Sequence, residues 1–500
     1  MTSRLALFSV FLAFSPVWGE SLYVDGNISS NCQDYDAAAR DCGSGSSVAY
    51  STLNAGLTAV GPGDVLLLRE GSFGQLNVQR SGANGNPIVI QGFDQETITI
   101  STVGSVGLNV INQSDVHIRN LTVSNVQGFG RVENSSRIVV ENVVFRSASA
   151  SGTTGALKFV RSTQNRVVNS SFNDGSDLLI LQDDANENVI QDNTFGSAAH
   201  SLISIRCSSR NVIRGNEFNN PDQKAMELYD CEGVSDAPVR LDDTKRNVLE
   251  HNRIYGTAAS GQRHRYNAIQ HGGQQTIARF NVFANNLGGG SYYQYYSDES
   301  LHVYENRLYN NTFYNNRCFA IIGTNGSANT YYDNQVVNNL LFQNTDCSGG
   351  GDQVDIDNAV AVVLTNNSIV DTDPGFVDVA SGDYQLTLNS AQIDAGVFLT
   401  KTSSSGSGTS LAVDDSSWFY DGFGILNETG DSVRLEGQTE TARIVSIDYS
   451  TNVLTLDRAL VWNAGDGVHL NYQGSAPDIG AFEFEMTGPR PKRPENLRAN

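Results

Sequence analysis

The sequence predicts an all-β solenoid: stacked parallel coils, a cap at the N-terminal end, and a small antiparallel β module inserted near the C-terminus. Three observations carry this expectation. A short pattern recurs ten times: an apolar pair, two or three polar residues, an Asn, then an apolar residue. Its last apolar positions are Val123, Phe145, Phe172, Phe195, Phe218, Ile254, Phe283, Phe313, Leu341 and Ile369, spaced 22 to 36 residues apart. One short strand cluster per period of this size is the mark of a β-solenoid. The composition agrees, with 48 Gly against 3 Met and 10 Pro. The third observation is a helix, a turn and an apolar strand placed where an open solenoid needs a lid.

Taken in order, residues 1–19 read as a secretory signal. Arg4 supplies the positive region, Leu5 to Phe14 the apolar run, and Val17-Trp18-Gly19 a cleavage site before Glu20. Tyr50 to Val60 spaces Leu53, Leu57 and Val60 along one helical face; Gly61-Pro62-Gly63-Asp64 then turns the chain into the strand Val65 to Arg69. Such a cap covers apolar core and unpaired strand edges. The coils occupy residues 20–400, with an insertion at Glu232 to Lys245 where the spacing stretches to 36. Within each coil the apolar residues stack, while Asn bonds backbone groups at the turn. Thr402 to Ser410 contains only Ser, Gly and Thr and is expected to be a flexible connection. Alternating segments then place the antiparallel module at 401–473, followed by a return to the solenoid end at 474–486 and a Pro-rich tail at 487–500.

Net charge is −22, with 54 acidic against 32 basic residues. That balance argues against a nucleic-acid partner, although locally clustered cations leave room for an anionic polysaccharide. No later stretch has the length and apolarity of a membrane span. Six cysteines fit an oxidising compartment and allow 15 full pairings. Cys207 and Cys231, and Cys318 and Cys347, lie one coil period apart, and Cys32 and Cys42 close a small loop. A secreted or cell-surface protein is expected.

Alternation along the strand before each Asn turn displays Arg161, Gln182, Arg206, Glu227, Tyr229, Gln270, His271, Tyr293 and Tyr295 on successive coils, ~4.8 Å apart. Arginines pair with carboxylates, and aromatic rings stack on sugars. The run Arg263-His264-Arg265 adds a positive patch, and Lys224 beside Glu227 offers a base and its partner. The expected catalytic set is Lys224, Arg265, His271 and Tyr293. Arg161, Arg206, Glu227, Tyr229, Arg263, His264, Gln270, Tyr292 and Tyr295 are expected to bind substrate.

The Pro62-Gly63-Asp64 turn, the Asn-rich coils and the closing Ala476 to Glu483 segment together resemble the secreted right-handed parallel β-helix proteins of the pectate-lyase-like superfamily. The resemblance covers residues 21–400 and 474–485. Its polysaccharide lyases imply a Lys base, an assisting Arg and calcium held by acidic residues. Lys224, Arg265 and Glu227 match in residue type, whereas the Glu-x-Glu calcium pair is absent, so no metal ligand is assigned. Its hydrolases imply paired aspartates, for which Asp174, Asp177, Asp183 and Asp184 are the candidates. The leading expectation is a lyase that cleaves a uronate-containing polysaccharide by β-elimination. The alternatives are a non-catalytic carbohydrate-binding or adhesion solenoid, and a glycoside hydrolase.

Overall fold

The computed structural model describes residues 19–102, 106–126, 128–147, 155–219, 221–229, 244–257, 266–293, 303–323, 331–357 and 361–485. The signal segment, the Pro-rich tail, Cys231, most of the 232–245 insertion, and Arg263, His264, Arg265 and Tyr295 lie outside them.

The chain winds into a parallel β-helix. An eleven-stranded sheet forms one face, and a 26-stranded sheet supplies the rest of the wall, made continuous by the long strands Ser114–Val126 and Ser136–Ser147. All ten repeat positions stand in register: Val123 pairs with Phe145, Phe145 with Phe172, and so on to Leu341 with Ile369. Rings in this column stack, with centroids 4.7 Å apart for Phe145–Phe172 and 4.5 Å for Phe283–Phe313.

The turn asparagines form buried ladders. From Asn193 through Asn216, Asn252, Asn281 and Asn311 to Asn339, each amide oxygen accepts from the backbone N–H of the preceding coil's Asn or Ser at 2.9–3.0 Å. A buried corner has no water for its backbone groups, and the repeated amide takes water's place.

The cap forms as expected. Helix Leu53–Ala59 is N-capped by Thr52 and buries Leu53, Gly56 and Leu57. A Cβ on Gly56 would meet Val24 at 2.6 Å, so glycine sets how closely the helix approaches the first strand. Disulfide Cys32–Cys42 ties the strands beside the cap, and Cys318–Cys347 joins neighbouring coils. Cys207 is instead a buried free thiol.

One expectation about the C-terminal region is corrected. Thr402 to Ser410 is no flexible connection: Gly406–Ala412 is a strand paired antiparallel to Val453–Trp462. The partner's backbone supplies the hydrogen bonds that weak β-propensity does not, and Gly406 leaves room for the Trp462 indole. The resulting six-stranded module packs on the solenoid's flank. Val189, Val212, Val248, Ile277 and Tyr309 share one apolar cluster with Leu411, Trp418, Phe419, Val433 and Leu454. Around it Arg166 and Arg214 bind Glu428, and Arg279 bridges Glu250 and Asp431. The returning segment likewise lies along the side of the stack, where Gly480 N–H donates to Asn338 O and Ala481 N–H to Thr312 Oγ1. Its apolar Ile479 and Ala481 share a cluster with Val282, Ala284 and Leu340.

Candidate functional site

The eleven-stranded sheet presents its outer face through strands Gly155–Val160, Asp177–Gln182, Ser201–Arg206 and Lys224–Tyr229. Register places Lys158, Ile180, Ser204, Glu227, Gln270 and Tyr292 in one outward column. A second outward column holds Val160, Gln182, Arg206 and Tyr229. Leu181, Ile205 and Leu228 point inward between them.

Glu227 is the hub. Its carboxylate is wholly buried, and three groups compensate for its lost hydration. The Lys224 ammonium and the Tyr229 hydroxyl both donate to Oε1, and Ser201 Oγ donates to Oε2 at 2.9 Å. Lys224 is itself buried, and its Nζ lies 5.9 Å from the Tyr229 ring centre. Burial, and then the Glu227 carboxylate beside it, push the Tyr229 phenol far above its ordinary range, so it stays protonated at any working pH.

One coil back, His200 Nδ1 lies 2.8 Å from Asp177 Oδ1 and 3.8 Å from Glu227 Oε2. A carboxylate only accepts, so Nδ1 carries a proton and donates it to Asp177. The His200 side chain is 32% exposed, and Nε2 has no partner among the described residues. Arg206 donates from Nε to Ser204 Oγ at 2.9 Å and lies 5.1 Å over the Tyr229 ring. No carboxylate pairs with it among the described residues. The cluster thus offers a histidine oriented by a carboxylate, a phenol kept as a donor and two cations, all on adjacent coils.

Lys224, Arg206, Glu227 and Tyr229 come together as the sequence indicates. Gln270 and Tyr292 follow Glu227 in its column, both buried, with Tyr292 packed on Phe319 and Ile322. Arg161 lies apart, ion-paired with Glu133. His271 and Tyr293 are corrected: both point into the core, in column with Leu228, and stack at 5.0 Å. Burial drives the His271 pKa down to about 3, so it sits there as a neutral ring whose Nε2 meets Ser291 Oγ at 2.9 Å. Register decides it: His271 pairs with the inward Leu228 and Tyr293 with His271, so adjacent Gln270 and Tyr292 take the outward side and these two the inward one. His200 and Ser201 were missed. Extending each aligned strand two residues towards its start puts Asp177, Ser201 and Lys224 on neighbouring coils and exposes the signal.

These carboxylates do not fit calcium. Both Glu227 oxygens already accept hydrogen bonds, and an ammonium occupies the position a cation would take. Among the described residues, the one cluster of three acidic, His or Cys ligands is Cys32, Asp34 and Cys42, where both cysteines are disulfide-bonded.

The family model described as "Right handed beta helix region" matches residues 86–233, less than a third of the chain. With the parallel coils that continue beyond the matched residues, the fold is a right-handed parallel β-helix. Among solved structures it is similar to pectate lyase Pel9A, at 14% identity over 93% of this chain and 97% of that one, with a TM-score of 0.47. It is also similar to a GH136 lacto-N-biosidase from Eubacterium ramulus, at 12% identity over 71% and 68% of the two chains, TM-score 0.48. A third is the PL6 family polysaccharide lyase Pedsa3628 from Pseudopedobacter saltans, at 14% identity over 69% and 96%, TM-score 0.41. No curated protein matches.

Proposed function

We propose that this protein is a secreted polysaccharide lyase that cleaves a uronate-containing chain by β-elimination. The observation that supports this reading is the single outward network of Asp177, His200, Ser201, Glu227, Lys224 and Tyr229, with Arg206 beside it. Elimination needs a base for the proton α to the carboxylate, positive charge for the enolate-like intermediate, and a donor for the departing oxygen. His200 Nε2 takes the proton while Asp177 holds the ring and stabilises its charged form. Lys224 and Arg206 supply positive charge, as does the run Arg263-His264-Arg265, which precedes the next strand, Asn267–Gly272, in the chain. The Tyr229 phenol protonates the leaving oxygen as the C–O bond breaks. The two disulfides and the absence, among the described residues, of any helix long and apolar enough to cross a membrane fit this role.

The test is to incubate the purified protein with alginate, pectate, chondroitin and ulvan and follow the absorbance of unsaturated uronate ends. On the active polymer, His200→Ala, Lys224→Ala and Tyr229→Phe should each lower kcat by ~10²-fold or more, while Arg206→Ala raises KM. Absence of unsaturated product from all four polymers would sink the proposal. One observation favours a hydrolase as second reading: the Asp177 and Glu227 carboxylates both face His200, at 2.8 and 3.8 Å. Reducing ends released without new absorbance would select it, and binding without any release would select a carbohydrate-binding solenoid.

A further inference from the structure

The outward column that carries Glu227 continues towards the N-terminal coils through Ser204 and Ile180 to Lys158. Lys158 is half-buried, and no ion pair or hydrogen bond reaches its ammonium among the described residues. That is unusual in a chain with 54 acidic and 32 basic residues. The neighbouring acid, Glu133, is taken twice over, by Arg131 at 2.5 Å and by Arg161. Asp183 acts on Lys158 from a distance without pairing with it. Arg206, one strand short of Glu227 and likewise without a carboxylate partner among the described residues, stands between Lys158 and the cluster. On the other side of Glu227 the column reads Gln270, Tyr292 and Ile322, all buried and uncharged.

We infer that Lys158, with Arg206, forms an anion subsite that grips a carboxylate of the sugar chain a few residues away from the reacting unit. The chain accordingly runs from the Glu227 cluster across strands Ser201–Arg206 and Asp177–Gln182 towards Gly155–Val160. This inference rests on the reading of the cluster as a polyuronate site. Three strand spacings, ~14 Å, separate Lys158 from Glu227, a span that suits an extended oligosaccharide lying across the strands. Burial, with Arg131 and Arg206 nearby, holds the Lys158 pKa below the ordinary lysine value. An ammonium in that position gains from a bound carboxylate, which restores the lost partner and relieves the repulsion.

The experiment measures binding by calorimetry for the parent, Lys158→Met and Lys158→Arg. The probes are polygalacturonate, alginate and their carboxyl-reduced, uncharged counterparts. Lys158→Met keeps the aliphatic stem and should bind the acidic polymer ~5- to 10-fold more weakly, with a flatter dependence on salt. Lys158→Arg should recover most of the affinity, and the carboxyl-reduced polymer should not distinguish the three proteins. Equal affinity of parent and Lys158→Met for the acidic polymers overturns the subsite alone. A Lys158 effect in a protein that cleaves nothing overturns the lyase reading and keeps the subsite. Failure of the parent to bind either acidic polymer overturns the subsite, while the lyase reading stands or falls on the four-polymer assay.

Discussion

Asn281 donates from Nδ2 to Leu249 O at 2.8 Å and to Asn311 Oδ1 at 3.0 Å, while its Oδ1 accepts from Asn252 N and Nδ2 at 3.0 Å. All of this is buried. Asn281→Ala would leave a backbone N–H and a carbonyl of the adjacent coil with neither protein nor water to bond. At ~1–3 kcal/mol for each of the two orphaned groups, a loss of ~2–6 kcal/mol is expected. A urea midpoint matching the parent's would show that the ladder is not what holds the turn. The sequence announces Asn281 plainly because the same side chain recurs at the same place in coil after coil. It says less about His271, whose facing depends on its register with Leu228, since a slip of one residue would turn it outward. His200 is hidden for a related reason: it lies just before its strand, and only the neighbouring coils give it Asp177 and Glu227.

A strand such as Val189–Gln191 has two sides to satisfy. Ile190 enters the solenoid core, and Val189 joins the apolar seam beneath the C-terminal module. Similar valines at 212 and 248 extend that seam along the flank. At its centre the buried guanidinium of Arg279 donates to Asp431 at 2.6 and 2.8 Å, to Glu250 at 2.7 Å and to the Tyr309 hydroxyl at 2.9 Å. Burial alone would lower the Arg279 pKa, but the carboxylates of Asp431 and Glu250 hold it well above the ordinary value. Asp431→Ala breaks this buried pairing and should cost ~3–5 kcal/mol. The expected readout is faster limited proteolysis between residues 397 and 473, and a lower melting temperature for the module. Digestion indistinguishable from the parent would mean that the apolar seam docks the module unaided.

Across the whole molecule, two buried histidines make stability depend on acidity. Burial lowers both His271 and His469 to about 3 from the ordinary 6.5. Above pH 6.5 both are neutral in the folded and unfolded chains, and the folded state carries no protonation penalty. As pH falls from 6.5 towards 3, the unfolded chain binds protons that the folded chain refuses, so stability is lost through that window. Glu250 extends the loss lower. Its burial would raise it, yet Arg279 and Arg214 hold it at about 2. Melting temperature should therefore fall steadily between about pH 6.5 and pH 4, with a shallower slope for His271→Phe. A flat profile over that range would contradict the buried, neutral placement of these rings. The sequence by itself determined the repeat, its register, the asparagine turns and the cap, because each coil meets the same steric and hydrogen-bonding demand and answers it with the same residues. Tertiary structure alone decided which side of a strand a given side chain takes, where the module docks, and that Asp177 and His200 join Glu227, Lys224 and Tyr229. Those outcomes depend on contacts between distant parts of the chain, and a pattern read along one coil carries no trace of its neighbours.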